Sequence, residues 1–432
     1  MSIRLLRILF IPLFYFHLCS LGFSAVDKTT AYLIDEEIAR HIQDIIKIRR
    51  FLHMNPELSN REYETSKLIA AQLLSMGLEV KTGIARTGVI GLLRGEQPGM
   101  TVAFRVDMDA LPIQEETQVS YRSLNPGVMH ACGHDVHTSI GLGAALVLSR
   151  LRDRLTGNIK FIFQPAEEGP PEGEEGGADL MIKEGALDDP PVRAIFGLHV
   201  WPEIPVGQVL FTSGPALASA DGFEIVLRGR SAHGARPYEG IDSVVLAAQI
   251  VLAVHSTLSR TVDPENPAVI TIGKIQGGVR SNIIADEVRL LGTARTITEA
   301  KRAEIERLLR DIIRGITQPV GAGFDLRYNR GTPSVYNHPD LAEIMLPTLR
   351  NALGNDKVRS HSPQMVAEDF AEFSQRIPGF YFLLGVRSPS VRSMPPLHSP
   401  RFNPDEGSIA VGIKAVTHLL FDGLAHQHRS LD

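Results

Sequence analysis

Cysteine is almost absent from this chain. Of 432 residues only Cys19 and Cys132 carry a thiol, which excludes a disulfide framework and an all-cysteine zinc module. Aromatic side chains are sparse, with one Trp and eight Tyr, and leave little material for base-stacking platforms. Positive charge is not in excess either. Lys and Arg number 44 against 49 Asp and Glu, a net charge of −5, so there is no electrostatic reason to expect DNA or RNA binding. What remains is an ordinary globular composition, 44% apolar and 22% charged. The length suits two or three domains and a large core that needs no covalent staples. The two cysteines need another use.

Residues 1–25 read as a signal peptide. Arg4 and Arg7 form a positive n-region, residues 8–18 an apolar h-region, and Ser24 and Ala25 offer small residues for cleavage. The expectation is an exported protein, periplasmic or secreted. The uncharged run 8–26 is also just long enough to act as an uncleaved membrane anchor, and that alternative stays open. No second apolar span is expected further along. Cys19 lies inside this segment, so cleavage would leave Cys132 as the sole thiol.

Apolar spacing predicts helices over 34–53, 61–76 and 137–150. Short apolar runs at 89–93, 101–106, 158–163 and 193–198 predict buried strands. Their alternation implies an α/β unit with a largely parallel sheet flanked by helices. Near residue 214 the pattern changes. Strands at 223–227, 268–275, 287–294 and 324–328, with helices at 241–258 and 298–315, make a compact α+β unit. Helix and strand alternation resumes after 340. The expected organisation is therefore a main unit over 26–214 and 332–432, interrupted by an insertion over 215–331.

The densest polar feature is HACGHDVH, residues 130–137, with Cys132, His134, Asp135 and two further histidines. Thiolate and imidazole are good ligands for zinc and similar divalent metals. Taken alone, the cluster also fits a buried thiol with histidines and an aspartate capping a helix. His130 and His137 are expected to be supporting or structural. A second feature, QPAEEG at 164–169, follows a strand. Of two adjacent carboxylates there, one can ligate metal while its neighbour faces the substrate as general base. His199 follows another strand, and His398 lies in a proline-rich loop before the last helix. Either histidine in isolation fits a structural role. Together, Cys132, His134, Glu168, His199 and His398 would supply the mixed sulfur, nitrogen and oxygen donors of a two-metal hydrolytic site.

These stretches resemble the M20 metallopeptidase/amidohydrolase family, and within it the amidohydrolase branch (subfamily D). The likeness is carried by RRFLHMNPEL (49–58), RVDMDALP (105–112), HACGHD (130–135) and QPAEEG (164–169). It continues with GLH (197–199), SAHGARP (231–237), EDF (368–370) and LHS (397–399). It spans nearly the whole chain after residue 48. The resemblance implies that Cys132, His134, Glu168, His199 and His398 hold two divalent ions, zinc or manganese, and that Glu167 is the catalytic base. It implies a transition-state role for His233 of the inserted lid domain, which in dimeric relatives reaches the partner's site. It places Asn282 near the substrate, and a homodimer through the lid follows from the same likeness. Arg280 is a candidate for the substrate carboxylate on charge alone, with a solvated surface role as the alternative. Two departures stand out. Arg105 occupies a place where the wider family has a histidine ligand, and Val366-Ala367 precedes Glu368 where relatives often have glycine.

The implied activity is hydrolysis of N-acyl or N-aroyl amino acids, small molecules, to a carboxylic acid and a free amino acid. A carboxypeptidase or dipeptidase on the same scaffold is the alternative. A non-catalytic scaffold would be expected to have lost ligands or base, and all are present.

Overall fold

The structure, a computed structural model, describes residues 26–425. The segment read as signal peptide or anchor therefore lies outside the described residues, apart from Val26.

Helix Lys28–Met54 opens the described chain. Asp27 caps it by accepting from the Thr30 amide at 2.6 Å, which starts the helix several residues before its apolar stripe of Ile34, Ile38, Ile45 and Leu52. Helix Tyr63–Ser75 follows and buries Ile69 and Leu73.

Eight strands form the main sheet in the spatial order Glu79–Ile84, Gly88–Arg94, Thr156–Gln164, Gln97–Asp107, Val192–Pro205, Gly379–Arg387, Val209–Phe211, Val358–Ser360. The pairings from Thr156–Gln164 through Gln97–Asp107 and Val192–Pro205 to Gly379–Arg387 are parallel. Alternate side chains of these strands enter two cores. Phe104, Phe161, Phe196 and Phe382 pack with Ile140 of helix His134–Arg150 and Ile413 of helix Gly407–Ala425. Ala103, Ile162, Ile195 and Tyr381 pack on the other face with Met181 and Phe370. Burial of both faces explains why the strands read as continuous apolar runs.

A second sheet is built wholly from residues 221–330. Its order is Ala268–Gly277, Glu287–Thr296, Asp221–Arg228, Gly323–Arg330, all antiparallel. Helices Ser243–Thr261 and Glu299–Thr317 cover one face and share a separate core with it, including Ile225, Ile250, Leu290 and Leu309. The two crossings into this unit lie side by side, Gly214–Leu217 pairing with Val335–Asn337. The Ser219 amide also donates to the Thr296 carbonyl at 2.7 Å.

Two helices, Ser243–Thr261 and Gly407–Ala425, are long and apolar enough to cross a membrane by length and composition, contrary to the sequence expectation. Both have partners in the fold. Gly407–Ala425 is largely buried in the main core, and Ser243–Thr261 lays Leu246, Ile250 and Val254 on the second sheet.

Candidate metal centre and active site

Three neighbouring parallel strands deliver polar residues to one end of the main sheet, where open α/β sheets bind ligands. Gln97–Asp107 ends at Asp107. Thr156–Gln164 runs into the turn that carries Glu167 and Glu168. Val192–Pro205 carries His199. Cys132 and His134 arrive on the loop that starts helix His134–Arg150. Gly133 between them has φ +91°, and a Cβ there would stand 2.5 Å from Val200 Cγ2, so only glycine fits this turn. Ala166 and His398 also adopt positive φ, +52° and +63°. Such strain in non-glycine residues is characteristic of functional sites.

The side chains converge on Cys132. Its Sγ lies 3.3 Å from His199 Nε2 and 3.3 Å from His398 Nε2. His398 Nε2 is 3.2 Å from Glu168 Oε1. His134 Nε2 is 3.8 Å from Glu167 Oε2 and 4.0 Å from Glu168 Oε1. Three donor triads result among these residues, each with ligand atoms within 4.8 Å of one another: His134/Glu167/Glu168, and the pair Cys132/His134/His199 and Cys132/Glu168/His398. Cys132 belongs to both members of that pair.

Outer partners aim these ligands. His134 Nδ1 donates to the Asp109 carbonyl at 2.9 Å, and His199 Nδ1 donates to the Val200 carbonyl at 2.7 Å. Both Nε2 lone pairs are thereby turned to the cluster. His134 Nε2 is buried without a hydrogen-bond partner, which a coordinated cation would supply. The donor set therefore fits divalent metal.

The other polar residues of the loop have different duties. His137 donates from Nδ1 to Asp107 at 2.6 Å and accepts the Val200 amide on Nε2 at 2.9 Å, so neither nitrogen is free. Asp135 forms an ion pair with Arg49 at 2.9 Å and accepts from His53 Nδ1 at 2.8 Å, tying the first helix to the cysteine loop. His130 is buried with both ring nitrogens unpartnered, and burial lowers it to about 4.

Charge in the site is one-sided. Arg105, fully buried, pairs with Asp107 at 2.9 Å, Glu368 at 3.0 Å and Asp369 at 2.6 Å. Asp109, Glu167 and Glu168 add further negative charge. Burial and the Glu368 and Glu168 charges push the Glu167 carboxyl well above the usual range. Burial and the carboxylates of Glu168, Glu167 and Asp107 push the Cys132 thiol up. Burial works to lower His134, but Asp107 and Asp109 outweigh it and push the ring up to about 10. All three shifts mark a place that attracts positive charge, a proton or a metal cation.

A cavity of about 560 Å³ opens beside the cluster, a size suited to a small ligand. Cys132, Glu167, Glu168, His199 and His398 form its polar end. Trp201, Leu217, Met365, Val366 and Leu397 give it an apolar wall, and Arg295 reaches it from the second sheet. The Arg295 guanidinium donates only to the Ala294 carbonyl at 3.3 Å, and no carboxylate pairs with it among the described residues.

Sequence reading assigned no role to Arg105, Asp107, Asp109, Glu368, Asp369 or Arg295. The available signal was charge inside buried, otherwise apolar strands, as at Arg105 and Asp107. His233, Asn282 and Arg280 are not among the residues lining the cavity. His233 and Asn282 adjoin each other on a two-stranded ribbon, where His233 pairs with Ile283 and the Gly234 amide donates to the Asn282 carbonyl at 2.8 Å. Arg280 lies at the turn of the same ribbon and is exposed.

Residues 103–422 match peptidase family M20/M25/M40, and the chain belongs to that family. It is 39% identical over 384 residues to thermostable carboxypeptidase 2 of Saccharolobus solfataricus, covering 88% of this chain and 95% of that protein. It is 40% identical over 309 residues to an N-acyl-L-amino acid amidohydrolase of Geobacillus stearothermophilus, covering 71% and 82%. Among solved structures it resembles the YXEP protein of Bacillus subtilis, described as a dinuclear metal binding peptidase from the M20 family. That match has a TM-score of 0.77 and 33% identity, over 90% of this chain and 99% of the other. The chain is thus a hydrolase of this family.

Proposed function

We propose that the protein is a metal-dependent amidohydrolase that cleaves N-acyl or N-aroyl amino acids to a carboxylic acid and a free amino acid. One observation carries the reading. A single cavity joins a candidate metal-ligand cluster, the glutamate Glu167, an apolar wall and an arginine with no acidic partner among the described residues. Those features correspond to the scissile amide, the proton it must gain, the acyl group and the free carboxylate.

In this reading Cys132, His134 and His199 would hold one divalent ion and Cys132, Glu168 and His398 a second, zinc or manganese. The ions, when bound, supply Lewis acidity and lower the pKa of a water toward neutrality. Glu167 takes the proton of the water that attacks the amide carbonyl and delivers it to the leaving nitrogen. Arg295, rather than Arg280, which does not line the cavity, receives the carboxylate, a charge-assisted pair. Trp201, Met365 and Val366 exclude water from the acyl group.

His233 and Asn282 are assigned to the site of a second copy, in a homodimer formed through the second sheet. Two features support this. Strand Ala268–Gly277 is a free sheet edge, the natural template for pairing, and it exposes Val269 and Ile275. The adjacent helix Ser243–Thr261 exposes Val244, Val245 and Leu252. Residues 1–25 are proposed to direct export, which N-terminal sequencing of the mature protein checks.

The test is a hydrolysis screen of the zinc- or manganese-loaded protein on N-acetyl and N-benzoyl amino acids, an indole-acetyl conjugate and free dipeptides. Turnover of the N-acyl compounds is expected. A preference for free dipeptides replaces the reading with the carboxypeptidase alternative that the Saccharolobus relative represents.

A further inference from the structure

Glu62 is a carboxylate in an unfavourable place. It is fully buried, and no cation pairs with it among the described residues. Burial and the like charge of Asp109 push it up to about 7. A buried carboxylate without a cation lowers stability, so its presence calls for a use.

Helix capping is not that use. Glu62 stands at the N-cap of helix Tyr63–Ser75, yet its side chain caps nothing. Glu57 does so instead, accepting the Glu64 amide at 3.1 Å and the Thr65 amide at 2.8 Å. Glu62 points inward. Its Oε2 accepts from Thr87 Oγ1 at 2.7 Å, and its Oε1 accepts the Ala166 amide at 2.9 Å.

Ala166 directly precedes Glu167 and is held at φ +52°, a conformation strained for any residue with a Cβ. It is buried, so its amide needs a protein acceptor. On the other side of Glu167, the Glu168 amide donates to Asp109 Oδ2 at 3.1 Å. The two amides that flank Glu167 in sequence are therefore each held by a buried carboxylate. One of these, Asp109, also orients His134. The other, Glu62, touches none of the proposed metal ligands.

We infer that Glu62 is a positioning residue for Glu167: by accepting the Ala166 amide it holds the strained turn that aims the base at the reacting amide. The inference rests on the reading of Glu167 as base. It predicts that geometry, and neither metal binding nor substrate affinity, is what Glu62 supplies.

The test compares Glu62→Ala, Glu62→Gln and wild type, metal-loaded, on N-acetyl-L-methionine, together with hydrogen exchange of the peptide containing Ala166. Glu62→Ala should lose roughly 100-fold in kcat, the cost of small misplacement of a reacting group, with KM and metal content unchanged. Its Ala166 amide should exchange faster. Glu62→Gln keeps an acceptor for that amide and should restore both kcat and slow exchange. Wild-type kcat in Glu62→Ala, unchanged exchange at Ala166, or equal losses in both variants overturn the inference. So does a parallel loss of metal. Should Glu62→Ala not fold, Thr87→Val loosens the same carboxylate and should lower kcat at constant KM; an unaltered kcat there counts against the proposal. Glu167→Gln is the separate control. Activity in that variant removes the base assignment, while the exchange data still decide whether Glu62 holds the turn.

Discussion

The Sγ of Cys132 stands 3.3 Å from the Nε2 of His398, a residue 266 positions later in the chain. That contact closes the candidate ligand cluster, because Cys132 is the donor common to the Cys132/His134/His199 and Cys132/Glu168/His398 triads. Replacing it should therefore damage both halves at once. Cys132→Ser, a smaller and harder donor, is expected to weaken metal binding by more than the 10- to 100-fold that loss of a supporting partner costs. Metal analysis after dialysis checks this. A variant that retains two ions per chain would remove Cys132 from the shared position.

Arg295 is the cation available for a substrate carboxylate. Arg295→Met should forfeit a charge-assisted hydrogen bond of about 2 kcal/mol, roughly a 30-fold rise in KM. The effect should appear with N-acyl amino acids and vanish with the corresponding N-acyl amino acid amides, which lack the charge. Equal losses on both substrates would mean that Arg295 shapes the cavity without reading the carboxylate.

His233 does not line the cavity of its own chain, which makes a mixing experiment decisive. Glu167→Gln and His233→Ala chains should each be inactive as homodimers. Dissociated and reassociated together, they should regain roughly a quarter of wild-type turnover, the share of complete sites that random pairing in a two-fold dimer creates. Absence of recovery in a mixture shown to have exchanged subunits contradicts the assignment. Leu252→Glu, on the exposed helix face, should shift the dimer toward monomer in sedimentation.

His418 gives a pH signature remote from the metal ligands. Burial, with the Lys414 charge, lowers it from 6.5 to about 4, and its Nε2 is buried without a partner. The unfolded chain thus takes up a proton between pH 6.5 and 4 that the folded chain refuses. The stability tied to this histidine is full above about pH 6.5 and is lost as pH falls toward 4, amounting to about 2 kcal/mol between pH 7 and 5. Urea unfolding at those two pH values should show a smaller acid loss in His418→Asn than in wild type. An identical loss in both proteins contradicts the argument.

Much of the candidate site was legible because its candidate ligands cluster in short motifs after strands. Cys132 with His134, and Glu167 with Glu168, announce themselves by local density. The Arg105 network did not, because its partners Glu368 and Asp369 lie some 260 residues away and only the fold brings them together. Arg295 was hidden for another reason. It shares the parity of exposed Glu287, Arg289 and Leu291 on its strand and reads as an outward charge; only the strand's end turns that face to the cavity. Arg280, a candidate by charge alone, is exposed and does not line the cavity. The parallel sheet was readable from apolar runs, whereas three-residue strands such as Val209–Phe211 and Val358–Ser360 carry too little pattern to be seen. Helix Lys28–Met54 exceeded its expected length because Asp27, a capping residue, sits ahead of the apolar stripe.

In the proposed mechanism Glu167 performs proton transfer beside a two-ion centre that it does not itself hold. The most direct measurement pairs metal content with turnover in Glu167→Gln. The account predicts two ions per chain, as in wild type, and loss of N-acyl amino acid hydrolysis by at least the 100-fold typical of a missing general base. Retained hydrolysis, or a variant that fails to bind the second ion, would contradict it.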